Sequence, residues 1–207
     1  MPRSKSANIE VREEAKARIL EAARKVFARN GTAATMAEVA KESGMSQGLA
    51  YRYFPSKEAI LTELVRQMAE SGGGASETIK RIPGSPALRL SLLVSHILDS
   101  RREQPEFYQL LYRVLYDDKL EGGVREVVNK SGKVMQGLIR GLIVEGQATG
   151  EIADDDPDQL VGALMACLDG ISRAMLNLDP ETARASIPDA RVIMRMLRPD
   201  PPTVKKG

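Results

Sequence analysis

The sequence predicts an all-α fold of about nine helices: an N-terminal three-helix helix-turn-helix domain followed by a larger C-terminal helical domain. Three observations carry this. Apolar residues recur at three- and four-residue spacing along most of the chain, and no segment alternates as a half-buried strand would. Ser, Thr or Asp stands just before these periodic stretches, at Asp156-Pro157 and Asp179-Pro180 with proline in the first helical position. Glycine- and proline-rich breaks separate the stretches. With 207 residues and 43% hydrophobic content, the chain can bury an ordinary globular core.

Residues 1–8 read as a flexible basic arm. Helix one follows, with Ile19, Leu20, Ala23, Val26 and Phe27 on one face and a stop at Asn30-Gly31. Thr35 is placed to cap a second helix starting near Met36, and Glu38, three residues on, can reach back to the free amide as a capping box. Gly44 stands where a left-handed residue would end that helix, and Ser46 can cap a third running from Gln47 to Tyr53. Val39, Ala40, Leu49 and Phe54 are the apolar positions expected to hold helices two and three together, so Gln47, Gly48, Tyr51 and Arg52 should project outward. Ser56 caps a fourth helix with the stripe Ile60, Leu61, Leu64, Val65 and Met68, expected to end near Glu70. The run Ser71-Gly72-Gly73-Gly74-Ala75-Ser76, with Pro83-Gly84-Ser85-Pro86 after it, reads as a flexible boundary. The expected organisation is a helix-turn-helix domain over 9–56, a connecting helix and linker over 57–84, a second helical domain over 85–198 and a loose tail over 199–207.

In the C-terminal part five helical patterns cover roughly 86–103, 105–117, 121–148, 157–178 and 188–198. The helix over 157–178 is apolar around more than one face, so it should be buried on two sides. One is expected to face a second copy of the chain, with the last helix beside it. Leu160, Val161, Leu164, Leu168, Ile171, Met175, Val192, Ile193, Met196 and Leu197 are the expected dimer contacts, the alternative being a central helix enclosed by its own domain. Helix 121–148 carries Gly132, Gly137, Gly141 and Gly146, each costing roughly 0.5–1 kcal/mol relative to alanine. Close helix packing at Gly137 and Gly141 is the preferred compensation, over space left for a ligand.

Net charge is only +2, but it is unevenly distributed. Residues 1–57 hold 11 Lys+Arg against 6 Asp+Glu, and the remainder holds 19 against 22, so the positive field belongs to the helix-turn-helix segment. A single cysteine, Cys167, excludes an intrachain disulfide and a multi-cysteine zinc site. No apolar stretch reads as long enough to span a bilayer and the N-terminus lacks a secretory core, so a cytoplasmic protein with no membrane partner is expected. There is no phosphate loop, metal-ligand cluster or nucleophile elbow, so neither catalytic residues nor a metal or cofactor is expected, and an enzyme is the remote alternative.

The residues Thr35, Val39-Ala40, Ser43-Gly44-Met45-Ser46, Gly48, Tyr51, Tyr53-Phe54 and Ser56-Lys57-Glu58, with Ile19-Leu20, Ala22-Ala23, Phe27 and Gly31 before them, resemble the signature of TetR-family transcriptional regulators. The resemblance spans about fifty residues. It departs from the usual pattern at Ala50, where a bulkier residue is commoner, and at Pro55, where a polar one is. It implies a homodimer that binds a palindromic operator in double-stranded DNA, usually as a repressor, and is released by a small molecule. An effector-independent or activating regulator is the alternative. Gln47 can pair bidentately with adenine, Gly48 admits close backbone approach, and Tyr51 or Arg52 can reach bases or phosphates. By the resemblance, Tyr53, Lys57 and the helix end capped by Thr35 bind phosphate, with Ser46 capping the reading helix. Tyr51 or Tyr53 packing between helices is the alternative role for each.

For an apolar or amphipathic effector, the candidate lining residues are His96, Phe107, Tyr108, Tyr112, Met135, Leu138, Met165 and Leu168. His96 has no second His or nearby Cys to make a metal site. In Asp154-Asp155-Asp156-Pro157-Asp158, capping by Asp156 explains the acidic run better than a cation does.

Overall fold

The structure, a computed structural model, describes residues 5–115 and 122–200. Among the described residues ten α-helices run in order: α1 (Lys5–Asn30), α2 (Met36–Glu42), α3 (Gln47–Tyr53), α4 (Lys57–Arg81), α5 (Pro86–Glu103), α6 (Pro105–Leu115), α7 (Gly122–Ala148), α8 (Pro157–Ala174), α9 (Pro180–Ser186) and α10 (Ala190–Met194). No strand occurs among the described residues.

Three expectations need correction. Helix α1 begins at Lys5, inside the segment read as a basic arm, while Arg3 and the tail from 201 lie outside the described residues. Helix α4 runs on through the glycine run to Arg81 instead of ending near Glu70. The last region is two short helices, with Asp179 capping α9 and Asp189 capping α10.

The chain divides into two compact units, residues 1–68 with 110–127, and 69–109 with 128–207. In the first, the apolar stripe of α1 is fully inward: Ile19 and Ala23 are 0% exposed and Phe27 is 1%. Val39 and Ala40 of α2 and Ile60 and Leu64 of α4 are buried as well.

The second unit has one core, to which α5 gives Leu90, Leu93, Val94 and Leu98, α7 gives Ile139, Leu142 and Ile143, and α8 gives Leu160, Leu164 and Leu168. Polar ties brace it. Arg101 donates to the Leu168 carbonyl at 2.9 Å, and Gln109 Nε2 donates to the carbonyls of Met175 and Leu178 at 2.6 and 2.9 Å. Asp156 accepts from the amides of Asp158 and Gln159, and Asp158 pairs with Arg140 at 2.8 Å, so capping and pairing use these two members of the acidic run.

The helical glycines separate into two kinds. A Cβ on Gly146 would lie 2.6 Å from Ile152 Cδ1, so this position must lack a side chain for the turn after α7 to fold back. At Gly132, Gly137 and Gly141 a Cβ would meet nothing within 4 Å, and Gly137 and Gly141 are exposed. Close packing inside the chain therefore accounts for Gly146 and not for the pair at 137 and 141.

The expected dimer contacts are also redistributed. Leu160, Val161, Leu164, Leu168, Met175, Ile193 and Leu197 are each at most 8% exposed within the single chain, so they have no surface to offer a partner. Ile171 is half-buried, and Val192 and Met196 remain exposed at 54% and 42%. The exposed side of α8 carries the small residues Gly162, Ala163, Ala166, Gly170 and Ala174 together with Gln159 and Arg173. Contrary to expectation, Pro157–Asn177 is apolar and long enough to cross a membrane by length and composition; here its large side chains fill the second unit's core.

Candidate nucleic-acid interface

The candidate surface is built by α2, the turn after it, and α3. Thr35 caps α2 as a complete box: the Glu38 amide donates to Thr35 Oγ1 at 3.3 Å, and the Thr35 amide and hydroxyl both donate to Glu38 Oε2 at 2.8 Å. The hydroxyl first, and the amide second, hold the Glu38 carboxyl below its ordinary range. Since Val39 N makes the first intrahelical bond, to Thr35 O, the amides of Met36 and Ala37 are left pointing out of the helix end toward an outside acceptor.

Helix α2 ends in a Schellman turn. Gly44 sits at φ +68°, its amide donates to Lys41 O at 3.1 Å, and the Met45 amide donates to Ala40 O at 2.9 Å. Ser46 then caps α3 by accepting from the Leu49 amide at 3.3 Å. Only Gly44 and Met45 lie between the C-cap Ser43 and the N-cap Ser46, so the turn is tight.

Within α3 the residue turned fully inward is Ala50, at 0% exposure, with Phe54 at 6% just beyond; Leu49, expected to pack, is half-buried. The opposite face carries Gln47, Gly48, Tyr51 and Arg52, all exposed, with Tyr51 at 46%. A Cβ on Gly48 would meet nothing within 4 Å, so the fold itself does not require glycine there. Tyr53 and Lys57 are half-buried, the latter opening α4, whose first turn is capped by Ser56 accepting from the Ala59 amide at 3.2 Å. Thr35, Ser46, Gln47, Gly48, Tyr51, Arg52, Tyr53 and Lys57 thus all fall on the helix-turn-helix or the first turn after it.

What sequence reading missed is the bracing from α1. Arg18 donates to the Ser43 carbonyl at 2.9 Å, Arg29 pairs with Glu42 at 2.6 Å, and Asn30 Nδ2 donates to Glu38 Oε1 at 2.8 Å. The Arg29 guanidinium holds the Glu42 carboxyl below its ordinary range. These pairs lie 8 to 25 residues apart in sequence, and no local pattern announces them. Both acids of α2 are therefore already satisfied by the protein, which lessens their repulsion of a polyanion.

The residues read as effector-lining are dispersed. His96 lies on the exposed side of α5, Leu138 and Leu168 are core, and Met135 and Met165 pack against that core from its edge. Phe107, Tyr108 and Tyr112 are half-buried on α6, with the first two rings edge to face at 6.0 Å.

A short helix capped at both ends, a tight glycine turn and a second helix with one small inward residue and a polar outer face define a helix-turn-helix DNA-binding protein. The profile of bacterial regulatory proteins of the tetR family matches residues 19–64, which are the elements just described. The HTH-type transcriptional regulator YhgD of Bacillus subtilis is 30% identical over 147 residues, covering 68% of this chain and 73% of YhgD. The repressor KstR of Mycolicibacterium smegmatis is 27% identical over 143 residues, 68% of each chain. A transcriptional regulator from Saccharomonospora viridis, solved in complex with choline, superposes with a TM-score of 0.71 at 25% identity, covering 84% of this chain and 94% of that one. The chain belongs to the TetR family of transcriptional regulators, and its relatives are regulators, not enzymes.

Proposed function

We propose that this protein is a cytoplasmic repressor that binds a palindromic operator as a homodimer and releases it when a small apolar or amphipathic molecule enters its C-terminal unit. The observation that carries the DNA half is the division of α3: Ala50 faces in, while Gln47, Gly48, Tyr51 and Arg52 face out on a helix fixed by Ser46 and Gly44. Gln47, in the first turn, is the residue assigned to adenine. Arg52, Tyr53, Lys57 and the open amides of Met36 and Ala37 are assigned to phosphate.

The homodimer reading is supported by glycines that the single chain does not use. Gly137 and Gly141 on α7, and Gly162 and Gly170 on α8, leave open space where a Cβ would stand, and each costs roughly 0.5–1 kcal/mol in a helix. A helix of a second copy approaching closely would offset that cost, with Val134 and Val144 at its border. On this reading the interface lies on the glycine-bearing outer faces of α7 and α8, with the exposed Val192 and Met196 as further contacts. Two α3 helices must then lie about 34–36 Å apart, or a multiple of that, to enter successive major grooves.

The effector half is supported by the relatives: one is named a repressor and one was solved with choline. Phe107 and Tyr108 give the second unit ring faces of the kind that attract a quaternary ammonium, so choline is the first ligand to titrate. The test is selection of bound duplexes from a random pool, then titration of the selected duplex with ligand. A palindromic site bound at least about 10³-fold tighter than random duplex at moderate salt is expected, and absence of enrichment sinks the reading. Gln47→Ala should lose roughly 1–3 kcal/mol of discrimination at one position per half-site. Lys57→Ala should weaken all duplexes alike and make the salt slope shallower by about one.

A further inference from the structure

We propose that Arg18 is a positioning residue for DNA reading: from α1 it locks the turn between α2 and α3, and so sets the angle at which Gln47 meets a base edge. This rests on the reading of α3 as the operator-reading helix. Arg18 lies far from the recognition face in sequence, yet its guanidinium NH2 donates to the Ser43 carbonyl at 2.9 Å, at the carbonyl end of α2. Cationic donors at that end of a helix complement both its unsatisfied carbonyls and its dipole.

The bond falls beside the left-handed residue of the turn. Ser43 is the C-cap, and Gly44, next to it, has φ +68° and no side chain to restrict it. A Cβ on Gly44 would stand 3.4 Å from the same guanidinium nitrogen, so Arg18 lies against the glycine as well as holding the carbonyl before it. Ser43 is itself 7% exposed, with its hydroxyl donating to Ala40 O at 2.9 Å, so the atom Arg18 holds belongs to a fixed residue. Three residues later Ser46 starts α3. A small rotation at Gly44 is therefore carried directly to Gln47 and Gly48, in the first turn of the reading helix. Bidentate base recognition tolerates little misplacement, whereas phosphate contact by flexible cations tolerates more. Holding the turn thus matters for discrimination more than for attraction.

The full-length protein is titrated with its selected operator and with a random duplex of equal length, at several salt concentrations, as wild type, Arg18→Leu and Arg18→Lys. Arg18→Leu is expected to lose tenfold or more on the operator and less than about twofold on the random duplex, with the salt slope on the operator unchanged; Arg18→Lys, which keeps a donor for Ser43 O, recovers most of the loss. Equal weakening on both duplexes with a slope shallower by about one means that Arg18 binds a phosphate itself and overturns the proposal. Unchanged operator affinity in both variants overturns it too. If Arg18→Leu unfolds the domain, as circular dichroism would report, Arg18→Lys decides: discrimination within about threefold of wild type supports positioning, and a loss shared by both duplexes refutes it. A wild-type protein that prefers no duplex removes the reading of α3 and this inference with it. A wild type that discriminates while both variants match it removes the inference alone.

Discussion

The two compact units of this chain are built by different kinds of information. In the helix-turn-helix every corner has a local device: Thr35 with Glu38 at the start of α2, Gly44 at its end, Ser46 before α3, Ser56 before α4. In the second unit the decisive relations are long-range. Leu164 meets a core drawn from α5, α7 and α8, Arg101 reaches the Leu168 carbonyl across 67 positions, and Gln109 reaches Met175 across 66. A reading surface must present the same few atoms at a fixed angle, which short caps and turns achieve. The second unit has only to enclose apolar volume, and many sequences do that equally well. This explains why the family profile matches 19–64.

The largest test of that contrast is Leu164→Ala. The side chain is 0% exposed, and truncation should cost about 2–5 kcal/mol in denaturant unfolding of the second unit. If Leu164 were an interface residue, as its place in an all-round apolar helix suggested, the loss would scale with protein concentration. The expectation is a loss independent of concentration.

Next comes the pair Gly137→Ala and Gly141→Ala. With open space at both sites, each alanine should stabilise α7 within a single chain by roughly 0.5–1 kcal/mol. Against a partner helix, the same two methyl groups obstruct close approach. Sedimentation across a concentration series should therefore show the double variant dissociating more readily than the wild type while each chain remains well folded. A double variant that gains thermal stability and associates normally would move the interface elsewhere.

These cases also show what was legible beforehand. The all-helical class, the start of α2, the Gly44 stop, the Ser46 cap and the Asp156 cap all follow from neighbours within about four residues, and the structure has them. Two expectations went astray for different reasons, the first because periodicity reports which residues are apolar, not what covers them. Leu160 to Met175 looked too apolar for a single core, yet the large buried residues share one side of α8, and its exposed side mixes Gly and Ala with Gln159 and Arg173. The glycine run of α4 read as a break because propensity was weighed without the helix on either side of it. At the candidate site the exposed face of α3 was legible, whereas the struts Arg18, Arg29 and Asn30 were not, since an arginine's partner 13 or 25 residues away leaves no trace in spacing.

The smallest readout, the pH dependence of a single cap, tests whether a local device in the first unit behaves as a local device. Thr35→Ala removes the cap and should cost about 1 kcal/mol at neutral pH. The Thr35 hydroxyl is also the first cause of the low pKa of Glu38. A carboxyl whose folded pKa is depressed contributes stability that is present above its unfolded pKa and is lost as pH falls through the folded value. The stability difference between wild type and Thr35→Ala should thus be full at neutral pH and shrink on acidification below the ordinary carboxylate range. The acid dependence contributed by Asp179 and Asp189 in the second unit is common to both proteins and cancels in the difference. A difference that stays constant down through the acid range would mean that Thr35 supports α2 without holding the Glu38 charge, and the reciprocal box would reduce to a one-way cap.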